Sequence, residues 1–349
     1  MATPAHAAGT LTGQPGREQR SLLPLGLVAL IGVLMVVGLL SLRVGSLSIT
    51  TADAWNALFH YNPENYAELV VRSLRVPRTC YAIVLGAGLG LSGTIAQAIT
   101  RNPLADPSIL GVSSGATLAV VIAVYFFDLT APYQYVWFAF AGALLASLLV
   151  FAMASAGRAG ATPTKVALAG IVISAMLASW TSALLLLDRE TMDTVRFWMA
   201  GSVAGRDLDT LIWLAPFILG GSIVGLFLGH QLNVLSLGDE TARALGMRTG
   251  MLRLIALVLV VVITGAAVAA AGPIAFVGLA TPHLVRSVIG PDYRWVLPYS
   301  MVVGAILLTS ADVIGRVVAR PSEVQVGIIT AIIGAPVLIG LARRRTLAS

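Results

Sequence analysis

Apolar runs separated by short polar turns fill this chain from residue 22 to residue 341. The pattern predicts about ten helices, at 22–42, 79–98, 109–127, 134–156, 166–187, 209–231, 251–271, 273–288, 296–314 and 325–341. Most approach the ~20 residues that a helix needs to cross roughly 30 Å of hydrocarbon. The fold class that follows is all-α, a polytopic membrane protein. The run 22–42 is too long for a signal-peptide core and lacks a small-residue cleavage site, so it is expected to remain as the first span. Residues 1–21 then form a polar N-terminal tail, 22–341 the membrane domain, and 342–349 a C-terminal tail.

Composition sharpens this picture. Hydrophobic residues make up 57% of the 349 and charged residues 11%, with a mean hydropathy of +0.89, too little polar surface to wrap a soluble globule. The net charge of +6 does not point to nucleic acid, because the basic residues are scattered at the ends of apolar runs rather than gathered into a stripe. A cytoplasmic N-terminus puts thirteen of the 22 basic residues inside, among them Arg17, Arg20, Arg101, Arg158, Lys165, Arg243, Arg248, Arg253 and the trio Arg343, Arg344 and Arg345. That bias places both termini in the cytoplasm. The lone Cys80 forbids an intrachain disulfide, and the four histidines, His283 included, lack carboxylates at ligand spacing, so no metal site is predicted. A phosphate loop GxxxxGK[ST] is absent from the sequence. The chain is therefore expected to be neither an ATPase by that machinery nor any other enzyme, with no catalytic residues and no cofactor of its own.

Charged residues keep to the ends of the predicted spans, Asp312 and Arg316 lying near one end of the ninth. An ion-coupled carrier usually holds an ionisable group at the midplane, so the pattern argues for energy supplied from elsewhere. Glycines one turn apart, Gly86 with Gly90 and Gly221 with Gly225 and Gly229, allow close helix packing in lipid. Between the second and third spans, Pro103 and Pro107 forbid a continuous helix and predict a rigid turn that carries Asn102. From Asn233 to Gly246 the chain predicts two short helices: Gly238 interrupts, Asp239 and Glu240 favour a helix start, Asp239 stands four residues before Arg243, and Gly246 suits a left-handed end. The segment from Arg196 to Ser202, with Phe197 and Trp198, reads as interfacial aromatic anchoring, a contribution to the outer mouth being the alternative.

Five stretches in order resemble the FecCD family, the permease subunits of ABC importers for iron-siderophores, haem and cobalamin. They are RVPRT at 75–79, GLSGTIAQAITRNPLADPSILGVSSGA at 90–116, LGDETARALGM at 237–247, GPIAFVGLATPHLVR at 272–286 and PSEVQVGIITAIIGAPVLIGLARR at 321–344. The resemblance implies a fold like that of the cobalamin-importer permease, with ten spans. The partners it implies are a second permease subunit, identical or related, two cytoplasmic ABC ATPases that use ATP and Mg, and an extracytoplasmic substrate-binding protein. It also implies roles for particular residues. Arg75, Arg78 and Arg316 would meet acidic groups on the binding protein, with Arg72, Arg196 and Arg320 ranked below them. Leu237, Gly238, Asp239, Glu240, Ala242 and Leu245, in the coupling helices near 233–247, would dock into the ATPase. Asn102, Pro103, Pro163 and Thr164 would form an inner gate. The default cargo is an iron(III)-siderophore; haem or cobalamin on the same machinery, and an ion-coupled secondary transporter, are the alternatives.

Overall fold

The computed structural model describes residues 17–45, 47–156 and 162–346, without side chains for 17–21, 163 and 337–346. The tail before Arg17, the turn holding Arg158, the side chains of Arg17, Arg20, Pro163 and Arg343–Arg345, and the last three residues lie outside the described set.

The elements run α1 Arg17–Arg43, α2 Thr51–Phe59, α3 Tyr66–Val70, a π-helical turn Val71–Arg75, α4 Val76–Thr100, a 3-10 turn Pro107–Leu110, α5 Val112–Phe127, α6 Pro132–Ser155 and α7 Pro163–Leu187. They continue with α8 Arg189–Met199, α9 Leu208–Leu226, α10 Gly229–Ser236, α11 Asp239–Ala244, α12 Thr249–Ala271, α13 Val277–Ile289, α14 Tyr293–Val318 and α15 Val326–Thr346. Every described element is helical.

Seven helices are long and apolar enough to cross a membrane. Of the remaining three of the ten expected, α5 and the part of α15 with described side chains, Val326–Pro336, are shorter apolar helices, and α13 runs for 13 residues. Three differences from the sequence expectation have local causes. The second span is part of one continuous helix, Tyr66–Thr100, so Arg75 and Arg78 lie within a helix rather than ahead of one. The π turn widens the backbone just before Pro77, whose ring would otherwise press on the carbonyl a turn earlier. The run 209–231 breaks between Leu226 and Gly229 into α9 and α10. The eighth span begins only at Val277, because Gly272 (φ 79°) and Phe276 (φ 69°) hold the preceding strap in left-handed conformations.

α4 occupies the centre and packs most extensively on α14. The glycine stripe makes this approach possible: a methyl group on Gly86 would stand 2.5 Å from the Gly304 carbonyl oxygen, and Gly90 and Gly93 abut the backbone of Ser300 and Gly278. Gly221 and Gly225 receive side chains instead, Ile263 and the pair Leu91 and Ile95. Several hydroxyls within the spans turn back to their own helix, as Thr94 Oγ1 does to the Gly90 carbonyl (2.9 Å) and Ser147 Oγ to that of Ala143 (2.9 Å). α1 and α7 stay at the periphery and show Leu25, Val28, Met35, Leu168, Ile171 and Trp180 to the outside.

Candidate functional site

At one end of the bundle, helix α1 stops at Arg43 and presents carbonyls that have no partner in their own helix. Arginines from elsewhere satisfy them. Arg75 Nη1 donates to the carbonyls of Leu42 (2.9 Å) and Arg43 (2.6 Å), and its Nη2 to that of Leu47. Arg316 Nη1 donates to the carbonyls of Ser41 (2.8 Å) and Val44 (3.2 Å), and Arg320 Nη2 to that of Gly45 (2.7 Å). Cations at this helix end also complement its dipole. Asp312 ties the group together, accepting from Arg316 Nη2 (2.5 Å) and from Arg78 Nε (2.8 Å), while Arg78 Nη1 reaches Glu323 at 2.5 Å. Ser41 Oγ accepts from Arg316 and pairs with Thr79 Oγ1.

Arg316 is 2% exposed and Asp312 1%. The expectation of three outward-facing docking arginines is therefore corrected: Arg75 and Arg316 point inward, onto carbonyls at and just beyond the end of α1 and, for Arg316, onto Asp312, and charge does lie buried within the α14 span. Arg78 keeps a small exposed share, beside the more open Glu323. Arg72, stacked over the Tyr61 ring at 4.5 Å, and Arg196, over Phe197 at 4.8 Å, stand exposed on the same end. Trp198 is buried edge-on against Tyr135, so it is a core residue rather than an interfacial anchor.

The opposite end carries a cavity of about 730 Å³. Its wall includes Thr100, Asn102 and Asp106 from the loop after α4, Phe151 and Ser155 from α6, Thr164 from α7, and Arg243, Arg253 and Leu257. Asn102 and Thr164, far apart in sequence, thus line one space. Pro103 stands half-buried in the same loop, outside the lining. The loop is non-helical, as expected, and stiffened by side-chain turns: the Asn102 Oδ1 accepts from the Leu104 N–H (3.0 Å) and the Asp106 Oδ1 from that of Ser108 (2.9 Å).

Beneath the cavity, α10 and α11 form the two short helices predicted for 233–247, hinged at Gly238 (φ 118°) and Gly246 (φ 81°). Leu237 and Leu245 are 64% and 65% exposed, and Glu240 is exposed between them. Ala242 is fully buried, which corrects its expected place on the contact face: it anchors α11 to the bundle. Asp239 turns toward the bundle as well, accepting on Oδ1 from Arg101 Nη2 (2.5 Å) and Arg253 Nη2 (2.9 Å), whereas the i,i+4 partner Arg243 stays 3.8 Å from Oδ2. The Arg101 and Arg253 contacts lacked any sequence signal, since each partner belongs to a separate element.

Nearby, Asn233 Nδ2 donates to Asp292 Oδ1 (2.6 Å), joining α10 to the start of α14. The carboxyl of Asp292 is drawn down to about 2, chiefly by the Arg294 side chain and also by Asn233.

A central glycine-packed helix, an end cavity and an exposed hinged helix pair define a multi-pass transport permease. The sequence matches the FecCD transport family over residues 33–344, and the chain belongs to that family. It is 42% identical over 315 residues to the ferric enterobactin transport system permease protein FepD of Escherichia coli, covering 90% of this chain and 93% of that one. Against the Fe(3+)-citrate import system permease protein YfmD of Bacillus subtilis, identity is 42%, covering 94% and 97%. Against the hemin transport system permease protein HmuU of Yersinia pestis it is 37%, covering 95% and 98%. A solved metal-chelate type ABC transporter in an inward-facing conformation superposes with a TM-score of 0.78 at 30% identity, covering 92% of this chain and 99% of that one.

Proposed function

We propose that this chain is the membrane-embedded permease subunit of an ABC importer that carries an iron(III)-siderophore across the cytoplasmic membrane. ATP and Mg are used by two partner ATPase subunits, and the chain itself holds no cofactor. The observation that carries the reading is a pairing at one end of the bundle: the 730 Å³ cavity lies directly against a hinged helix segment whose Leu237 and Leu245 face outward. Relatives named for enterobactin, citrate and hemin support an iron-chelate cargo.

In this reading the cavity end faces the cytoplasm, with both termini on that side. Leu237, Gly238, Glu240 and Leu245 offer the ATPase contact, and Asn102, Pro103, Pro163 and Thr164 border the inner gate. The other end receives an extracytoplasmic binding protein, with exposed Arg72 and Arg196 and the partly exposed Arg78 supplying charge; Arg75 and Arg316 hold the platform from inside. Such contacts set encounter rate and register more than affinity. A second permease subunit completes the path.

The test is uptake of a radiolabelled ferric siderophore into proteoliposomes holding the assembled complex. Uptake is expected only with lumenal ATP and external binding protein. Accumulation driven by a proton or sodium gradient without ATP would overturn the proposal in favour of a secondary carrier.

A further inference from the structure

We propose that Asp239 is the joint through which the α10–α11 segment moves the 101–107 loop, a positioning role that rests on reading that segment as the ATPase contact. Two guanidiniums from different elements share one oxygen of this carboxylate, Arg101 at 2.5 Å and Arg253 at 2.9 Å. Arg101 is the residue at which α4 ends, in a left-handed conformation (φ 51°), and the next residue is Asn102 of the cavity wall. Its Nη2 also donates to the Leu235 carbonyl (2.8 Å), so both α10 and α11 are tied to the end of α4 through one side chain. Arg253 is itself part of the cavity wall. One carboxylate therefore touches the loop at the cavity and the helix opposite it.

The mechanics of the segment fit this role. Gly238 and Gly246 bound α11 in backbone conformations that favour glycine, so the six-residue helix can tilt as a unit with the buried Ala242 as its pivot. The loop it pulls is stiff: two prolines and two side-chain turns let 101–107 move as one piece instead of absorbing the displacement. An ion pair suits such a joint, because charge attraction is weakly dependent on angle and Arg243, 3.8 Å away, can take up Oδ2 as the others slide. Apolar packing would have to unlock and repack to permit the same movement.

The deciding measurement is the ratio of chelate imported to ATP hydrolysed, in proteoliposomes of the whole complex, normalised to assembled complex. D239N is expected to lower the ratio about fivefold. D239E, which keeps the charge, should recover most of it. R101Q alters no residue on the docking segment and is expected to give the same loss, and the double variant D239N/R101Q should be no worse than either single one. A ratio within about twofold of wild type in R101Q, or additive losses in the double variant, would overturn the proposal. Should D239N fail to assemble, R101Q alone decides. Absence of ATP-driven uptake by the wild-type complex would instead strike the underlying functional reading.

Discussion

The arginine–carboxylate clusters at the two ends of the bundle use the same chemistry for opposite purposes. Around Asp312, guanidiniums are buried and divided between two carboxylates and the loose carbonyls of α1. Around Asp239, guanidiniums from three elements converge on a single carboxylate, 26% exposed, beside glycine hinges. Charges withdrawn from water hold their partners firmly, because any separation leaves an uncompensated ion in a medium that solvates it badly. Charges left partly in water exchange partners at small cost. The first cluster is a staple and the second a joint.

The largest expected effect breaks the staple. D312A removes the acceptor shared by Arg78 and Arg316 and is expected to destabilise the protein by about 3–5 kcal/mol, the usual cost of orphaning a buried charge. Thermal unfolding in detergent reads this directly, and a midpoint within about 2 °C of wild type would show that the cluster is not structural.

A middle-sized effect separates holding from docking. Glu323, 33% exposed, occupies Arg78 Nη1. E323Q frees that group, so affinity for an acidic binding protein is expected to rise about two- to fivefold at low salt and to converge on wild type as salt increases. Unchanged titration curves at every ionic strength would remove Arg78 from the docking surface.

The smallest effect concerns Asp292 at the joint end. Its folded pKa, about 2, lies below the ordinary value of 3.8. The ionised carboxylate therefore adds stability that is fully present above the ordinary value and lost as pH falls toward 2. D292N should cost less than about 1 kcal/mol at neutral pH, after discounting for its exposure. The difference from wild type should stay flat from about pH 8 to pH 5 and shrink below pH 4; a difference that grows on acidification would contradict the assignment.

Much of the architecture could be read from the chain. Runs of apolar residues gave the positions of ten helices, Pro103 and Pro107 the irregular loop, and Gly238 and Gly246 the hinged pair, because each of these depends on neighbours in sequence. The helix breaks were harder: the strap before Val277 and the split after Leu226 have apolar residues throughout, and hydropathy is blind to backbone direction. The arginines were hardest of all. From sequence, Arg75 and Arg316 look like surface cations, and only the ending of α1 beside them turns them inward. Asp239 shows its local partner Arg243 in sequence, yet its shorter bonds go to Arg101 and Arg253.

The sequence by itself determined the membrane class, the placement of the apolar runs and their local punctuation, since periodicity and backbone restriction act over a few residues. Tertiary structure alone decided which charges are buried and which stay free, because a guanidinium goes wherever unpaired carbonyls and carboxylates from distant elements happen to meet, and desolvation makes that choice binding.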